Sequence, residues 1–222
     1  MTFAPMLKIK SFVFNDFQEN TYIIWDQTLS CAIIDPGCYK TDEQLQLTGF
    51  IKEYQLKPAL LLNTHCHIDH ILGNGFIVDQ YKLPLHMHEG EMETYQDTDR
   101  WAAMFGMPSF QIPEKRIFID EGDDLILGDT KLKILFTPGH SVASLSFFHE
   151  ATHLLISGDV LFKESIGRTD LPGGDYDLLA DSIRTKLYTL PDKTTVFSGH
   201  GPSTTIGHEK KYNQFVRDFD MS

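Results

Sequence analysis

No run of about eighteen apolar residues occurs in the 222-residue chain, so no helix is expected to cross a membrane. Cysteine is scarce: three residues, an odd number at irregular spacing, give no disulfide framework and fit a reducing compartment. Positive charge is also short. Nineteen Lys and Arg against thirty-one Asp and Glu leave a formal charge of −12, which disfavours nucleic acid and anionic membrane as partners but leaves room for a local basic pocket. The first ten residues lack a basic segment followed by an apolar one, so no secretory leader is read and a cytoplasmic location is expected. With no Ser/Pro-rich linker or low-complexity tract either, residues 1–222 are expected to form one domain.

Alternating or continuous apolar runs predict strands at Leu7–Phe14, Asn20–Trp25, Cys31–Ile34 and Ala59–Asn63, with a hairpin turn over Asp26–Ser30. Thr41-Asp42-Glu43-Gln44 reads as a capping box opening an amphipathic helix to about Tyr54. A helix is predicted over Ile71–Tyr81, a short strand near Leu85-His86, and a polar helical stretch over 89–105. That stretch carries Glu89, Glu91, Glu93, Asp97 and Asp99 and reads as a solvated cover. Met104–Pro113 is irregular and apolar, suited to flank a pocket. Strands follow at Lys131–Phe136, Leu145–His149, Leu154–Ser157 and Thr194–Ser198, with helices over Asp175–Leu190 and His208–Phe219. Two mixed halves of similar order imply two sheets packed face to face with helices outside.

The stretch that concentrates chemistry is His65-Cys66-His67-Ile68-Asp69-His70, at the end of a buried strand. Residues two apart on an extended chain point the same way, so His65 and His67 can meet one metal, while Asp69 and His70 reach a second. A metal needs at least three protein ligands, and three further strand ends offer them: Gly139-His140, Gly158-Asp159 and Gly199-His200. Taken alone, a Gly-His or Gly-Asp at a strand end is ordinarily a turn, and a His-x-His is ordinarily surface. Seven ligand-type residues at four strand ends are much harder to obtain by chance. Imidazole and carboxylate suit zinc first, with iron and manganese compatible. Four other side chains have plainer readings. His86 and His88 lack a carboxylate cluster, His149 reads as surface, and Cys66 should face away from its flanking ligands into the core or a pocket wall.

On these motifs, in this order and over nearly the whole chain, the sequence resembles the metallo-β-lactamase fold superfamily. The segments Ser157–Phe162, Ser165–Asp175 and Gly199–Gly207 are similar to those of the small bacterial glyoxalase II-like hydrolases, with Asn213-Gln214-Phe215 a small departure from their Asn-Pro-Phe. The resemblance implies an α/β (α+β) fold, an αββα four-layer sandwich with two divalent ions at one edge. His65, His67 and His140 would hold the first, Asp69, His70 and His200 the second, and Asp159 would bridge them. Two such ions, about 3.5–4 Å apart, lower the pKa of a shared water enough to give hydroxide near neutral pH.

The expected reaction is therefore hydrolysis of a small-molecule thioester like S-D-lactoylglutathione, with Asp69 orienting the nucleophile. A thiolate with a pKa of about 8.5 leaves without acid help. Arg168, where such relatives keep a basic residue for a glutathione carboxylate, is the substrate-binding candidate, with Lys163 a weaker one. Larger glyoxalase II enzymes carry a longer helical C-terminal extension, whereas this sequence runs twenty-two residues past His200. Alternatives are a mono-iron persulfide dioxygenase, which shares a Gly-Arg-Thr-Asp segment, and a non-catalytic metal-binding module of the same fold. Oligomeric state is not legible in the sequence.

Overall fold

In the computed structural model the described residues are 6–106 and 112–217. Strand β1 (Lys8–Phe14) turns back into β2 (Glu19–Trp25), and β2 into β3 (Ser30–Ile34), all antiparallel. The second turn is the expected hairpin. The Asp26 carboxylate accepts Thr28 N at 2.9 Å, and reaches across to Asp129 N at 2.7 Å. Helix α1 (Thr41–Glu53) then crosses over to β4 (Lys57–Leu62), parallel to β3. Helices α2 (Ile68–Ile71) and α3 (Asn74–Tyr81) lead to β5 (Leu85–Met87). A 3-10 turn (Glu89–Glu91), α4 (Met92–Gln96) and α5 (Thr98–Met104) precede β6 (Arg116–Phe118), which completes a six-stranded sheet in sequential order.

The second sheet contains β7 (Leu125–Leu127), β8 (Thr130–Phe136), β9 (Leu145–His149) and β10 (Leu154–Gly158), with β13 (Thr195–Ser198) and β14 (Thr204–Thr205) added at β10. Between β10 and β13 lie a two-strand hairpin, β11 (Leu161–Phe162) and β12 (Ser165–Ile166), and α6 (Tyr176–Ser182), which runs on as a π-helical turn (Ile183–Leu187). Helix α7 (Ile206–Tyr212) ends the regular structure.

Side-chain alternation along the strands sorts this chain into layers. All seven residues of β2 are buried, because both its faces are covered. Tyr22 and Ile24 join Ala32, Ile34 and Leu62 of the first sheet, and Leu132, Ile134, Phe147 and Ile156 of the second, in a core between the sheets. Their alternates Ile23 and Trp25, with Ile33 and Leu61, pack outward against Leu47 and Ile51 of α1 and Ile77 of α3. On the far side, Phe148, Leu155 and Val196 meet Leu179, Ile183 and Leu187. The order is helices, sheet, sheet, helices. Each large apolar side chain buried this way is worth about 1.5–3 kcal/mol.

Several local expectations shift. Lys40, not Thr41, caps α1, and Glu43 is the residue that reaches back, accepting Lys40 N and Tyr39 N at 3.1 Å each. The polar stretch 89–105 is a turn and two short helices rather than one helix. Ile71–Tyr81 breaks at Gly73, whose amide donates to Pro36 O at 2.7 Å. The last helix runs over Ile206–Tyr212 rather than beginning at His208, and 218–219 lie outside the described residues, as do 107–111 of Met104–Pro113. His149 is 3 % exposed rather than on the surface, its Nδ1 2.7 Å from Thr152 Oγ1. Among the described residues no helix is long and apolar enough to cross a membrane.

Candidate metal centre

Strand ends from both sheets converge on one edge of the sandwich. β3 delivers Asp35, β4 delivers Asn63-Thr64-His65, β8 leads to His140, β10 to Asp159 and β13 to His200. A crevice at the carboxyl ends of strands is where open α/β sheets place ligands. The two sheets are stitched together there. Asn20 N donates to Gly199 O at 2.7 Å, and Tyr22 OH to Ser198 O at 2.6 Å.

The seven motif residues fall into two groups that share this edge. His65, His67 and His140 form one, Asp69, His70 and His200 the other, with the ligand atoms of each group within 4.8 Å of one another. Asp159 touches both: its Oδ2 lies 3.6 Å from His140 Nε2 and 3.5 Å from His200 Nε2, and its Oδ1 3.5 Å from His70 Nε2. Two glycines are sterically required. Gly139 is left-handed (φ 126°) and pressed against the Leu179 backbone, and Gly199 leaves space that a Cβ would take from Asp159 and His70.

Four of the five rings, those of His65, His70, His140 and His200, are oriented by the nitrogen that faces away from their group. His140 Nδ1 donates to Arg168 O at 2.8 Å, and His200 Nδ1 to Gln18 O at 3.3 Å. His70 Nδ1 donates to Asp35 Oδ2 at 3.1 Å. Thr64 Oγ1 donates to that same oxygen at 2.6 Å, so it accepts from His65 Nδ1 at 3.0 Å. One carboxylate, Asp35, therefore sets the tautomer of a ring in each group. It is held in a left-handed conformation (φ 48°) and also accepts Thr64 N at 2.7 Å. The inward nitrogens then present lone pairs. His65 Nε2, His70 Nε2 and Asp159 Oδ1 are buried without a hydrogen-bond partner, and His67 Nδ1 faces His140 Nε2 at 2.9 Å. Converging buried acceptors of this kind fit divalent cations, whose positive charge satisfies them together.

Electrostatics divide the groups. Burial pushes the imidazolium of His67 down to about 4, helped by His140, and drives His65 well below the ordinary range, helped by His70. Burial opposes charge on Asp69 and Asp159, but His70 and its imidazole neighbours outweigh it and hold both carboxyls low. Burial likewise opposes protonated His70 and His200, yet Asp69 and Asp159 outweigh it and raise both. His65 and His67 are therefore held as neutral rings, while Asp69 and Asp159 favour protonated His70 and His200, whose inward protons a bound cation would displace.

Other candidates separate from the centre. Cys66 points into the core, 1 % exposed, and burial drives its thiol well up. His86 Nδ1 meets Leu61 O at 3.1 Å, and His88 Nδ1 accepts Gly90 N at 2.9 Å; neither belongs to a ligand group. Arg168 stands at the rim of a cavity of about 450 Å³ above the centre, its guanidinium paired with Asp170 at 2.6 and 2.7 Å. Lys163 is exposed at the β11–β12 turn and does not line that cavity.

The motif reading missed two supports. Asp35 was readable as an acidic residue directly after a buried strand, the same signal that marks Asp159, but Asp35-Pro36-Gly37 reads first as a strand breaker. Glu91 left no signal, since it lies in the acidic stretch taken for a solvated cover. It is fully buried, and its carboxylate accepts Cys66 N at 3.0 Å, Ser141 Oγ at 2.6 Å and Ala143 N at 2.9 Å. It thus clamps the loop of His65 and His67 to the loop of His140.

Fold and centre together define a class, and residues 14–200 match the sequence family described as the metallo-beta-lactamase superfamily. The chain belongs to that superfamily, and its class is that of metal-dependent hydrolases. It is 37 % identical over 203 residues to hydroxyacylglutathione hydrolase GloC of Haemophilus influenzae, covering 90 % of this chain and 93 % of that one. Among solved structures it is similar to the BLEG-1 B3 metallo-beta-lactamase (35 % identity, TM-score 0.87, 95 % of this chain and 100 % of that one). It is similar also to TTHA1623 in a di-iron-bound form (32 % identity, TM-score 0.84, 93 % and 100 %).

Proposed function

We propose that the protein hydrolyses a small thioester of the hydroxyacylglutathione type at a centre of two divalent ions, zinc or iron. His65, His67 and His140 would hold one ion, Asp69, His70 and His200 the other, and Asp159 both. The observation that carries the reading is the pair of complete ligand groups joined through Asp159 at the floor of an open cavity. The relative named as a hydroxyacylglutathione hydrolase points to the thioester.

Such ions, when bound, lower the pKa of water and polarise a carbonyl oxygen. The protein's own part is to fix geometry. Asp69 Oδ2, 3.1 Å from His200 Nε2, is placed to accept a hydrogen bond from the attacking water and so aim its lone pair. Asp35 and Thr64 keep His65 and His70 in the tautomer with inward lone pairs, so no proton is lost to reorientation during turnover. Apolar side chains around the centre thin out bulk water and strengthen each charge contact. The leaving thiolate needs no protein acid. Arg168, at the rim, would meet a carboxylate of the thiol portion by exchanging Asp170 for it.

The test is turnover of S-D-lactoylglutathione by protein of measured metal content. His67→Ala should lower kcat at least about a thousandfold and reduce bound metal. Unchanged turnover in that variant would overturn the reading. Because BLEG-1 is named as a β-lactamase, a second reading is attack on a lactam carbonyl by the same floor. A penicillin and a cephalosporin run beside the thioester decide between them.

A further inference from the structure

The reacting floor of the cavity is polar and Thr94, Ser165 and Arg168 also line it, but one side of what stands around the floor is apolar. Phe17 from the β1–β2 turn, Ile68 from α2, Trp101 from α5 and Phe105 at the C-terminal cap of α5 line it together. They form one continuous wall. The Phe17 and Phe105 rings meet edge to face at 5.2 Å, Trp101 and Phe105 are 6.4 Å apart at their centroids, and Ile68 packs with Phe17 and Trp101. Ile68 sits in sequence between His67 and Asp69, so this wall begins at the ligand groups themselves. Phe105 is 49 % exposed, a large aromatic left at the mouth with no polar partner to explain its position.

Charge is distributed the other way. Among the described lining residues Arg168 is the one Lys or Arg, and Asp170 already pairs with it through both oxygens. The cavity therefore offers apolar area near the carbonyl position and little cationic capacity. Resting on the thioester part of that reading and replacing its hydroxyacyl part, we infer that the preferred acyl group of the substrate is apolar and larger than a three-carbon hydroxyacyl. A linear chain of about six carbons, or an aromatic acyl group, would lie along Ile68, Trp101 and Phe105 with its carbonyl over the floor. A lactoyl hydroxyl laid along that wall would instead lose water against Ile68, Trp101 and Phe105, whose side chains carry no acceptor, and would gain nothing from the wall's apolar area. Discrimination of this kind comes from buried methylenes, each of which adds binding energy as it leaves water.

Lactoyl, acetyl, butyryl and hexanoyl glutathione, all with the same thiol, test this on the metal-loaded protein. From acetyl to hexanoyl, kcat/KM should rise about three- to tenfold per two-carbon step, with hexanoyl well above lactoyl. Trp101→Ala should flatten the series, and Trp101→Phe should restore most of the slope. A lactoyl rate equal to or above the hexanoyl rate in the native protein overturns the inference while leaving the hydrolase reading intact. A second measurement does not depend on turnover. Sodium octanoate should change tryptophan emission saturably and sodium lactate should not, and the change should vanish in Trp101→Phe, which keeps only the buried Trp25. If no thioester is cleaved, the hydrolase reading fails alone provided octanoate still binds at Trp101. Absence of the octanoate signal overturns the acyl-wall inference.

Discussion

His65 and His70 are at most 1 % exposed and both rings are tied to Asp35, directly or through Thr64, whereas the Arg168 side chain is 61 % exposed and paired with a neighbour two residues away. The floor is built from strand ends of two sheets and crossed by hydrogen bonds between residues far apart in sequence. The walls are built from α2, α5 and a two-residue-turn hairpin, elements with little interior of their own. A carbonyl attack needs ligand atoms fixed to within a fraction of an ångström, which only a buried, fully bonded scaffold provides. Selection among acyl or thiol groups needs area and a few charges, which short exposed elements supply and can vary without disturbing the floor.

If the floor owes its rigidity to the two sheets, loosening their shared core should do the most damage. Phe147→Ala, in the middle of the inter-sheet core, should cost about 3–5 kcal/mol in denaturant unfolding. A loss under about 1 kcal/mol would mean that the sheets are held together elsewhere. Asp35→Asn keeps a residue tolerant of the left-handed backbone but removes the charge that orients both rings. Metal titration should then show affinity lower by about ten- to a hundredfold, with the unfolding midpoint less affected. Equal affinity would show that Asp35 serves the fold and not the centre.

At the rim the effects should be smaller and of another kind. Arg168→Ala is expected to raise KM for glutathione thioesters about three- to tenfold with kcat and thermal midpoint retained, as for an exposed, water-screened ion pair. A loss in kcat instead would move Arg168 from the wall to the floor. His86, outside both regions, provides the smallest signal. Burial depresses its pKa below the ordinary 6.5, so the folded state favours the neutral ring. That stability is present above the unfolded value near 6.5 and is lost as pH falls below it, because the unfolded chain takes up the proton more readily. His86→Gln should flatten this part of the stability–pH curve, measured by denaturant midpoints at several pH values.

The division between floor and wall also explains what could be read from residues alone. β2, β3, β4, β8, β9, β10 and β13 announce themselves because each is a run of apolar side chains between polar breaks. β6, β7, β11, β12 and β14 are three residues or fewer, too short to show a period, and exist because a neighbouring strand completes their hydrogen bonds. The cap of α1 moved by one residue because Glu43 competes with Gln44 for the backbone amides, and geometry favours the third position. Glu91 is the sharpest case. Local composition makes it a solvated acid, and only the arrival of Cys66, Ser141 and Ala143 from 25 to 52 residues away turns it into a buried clamp.

By itself the sequence determined the chemistry on offer: seven imidazole and carboxylate side chains of ligand type, placed at or just after strand ends by the apolar runs before them. Tertiary structure alone decided which lone pair faces inward, through Asp35 and Thr64, and what surrounds the centre, through Phe17, Trp101 and Phe105. The physical reason is range. A strand end is set by side chains adjacent in the chain, whereas a tautomer and a cavity wall are set by contacts between segments that only folding brings together.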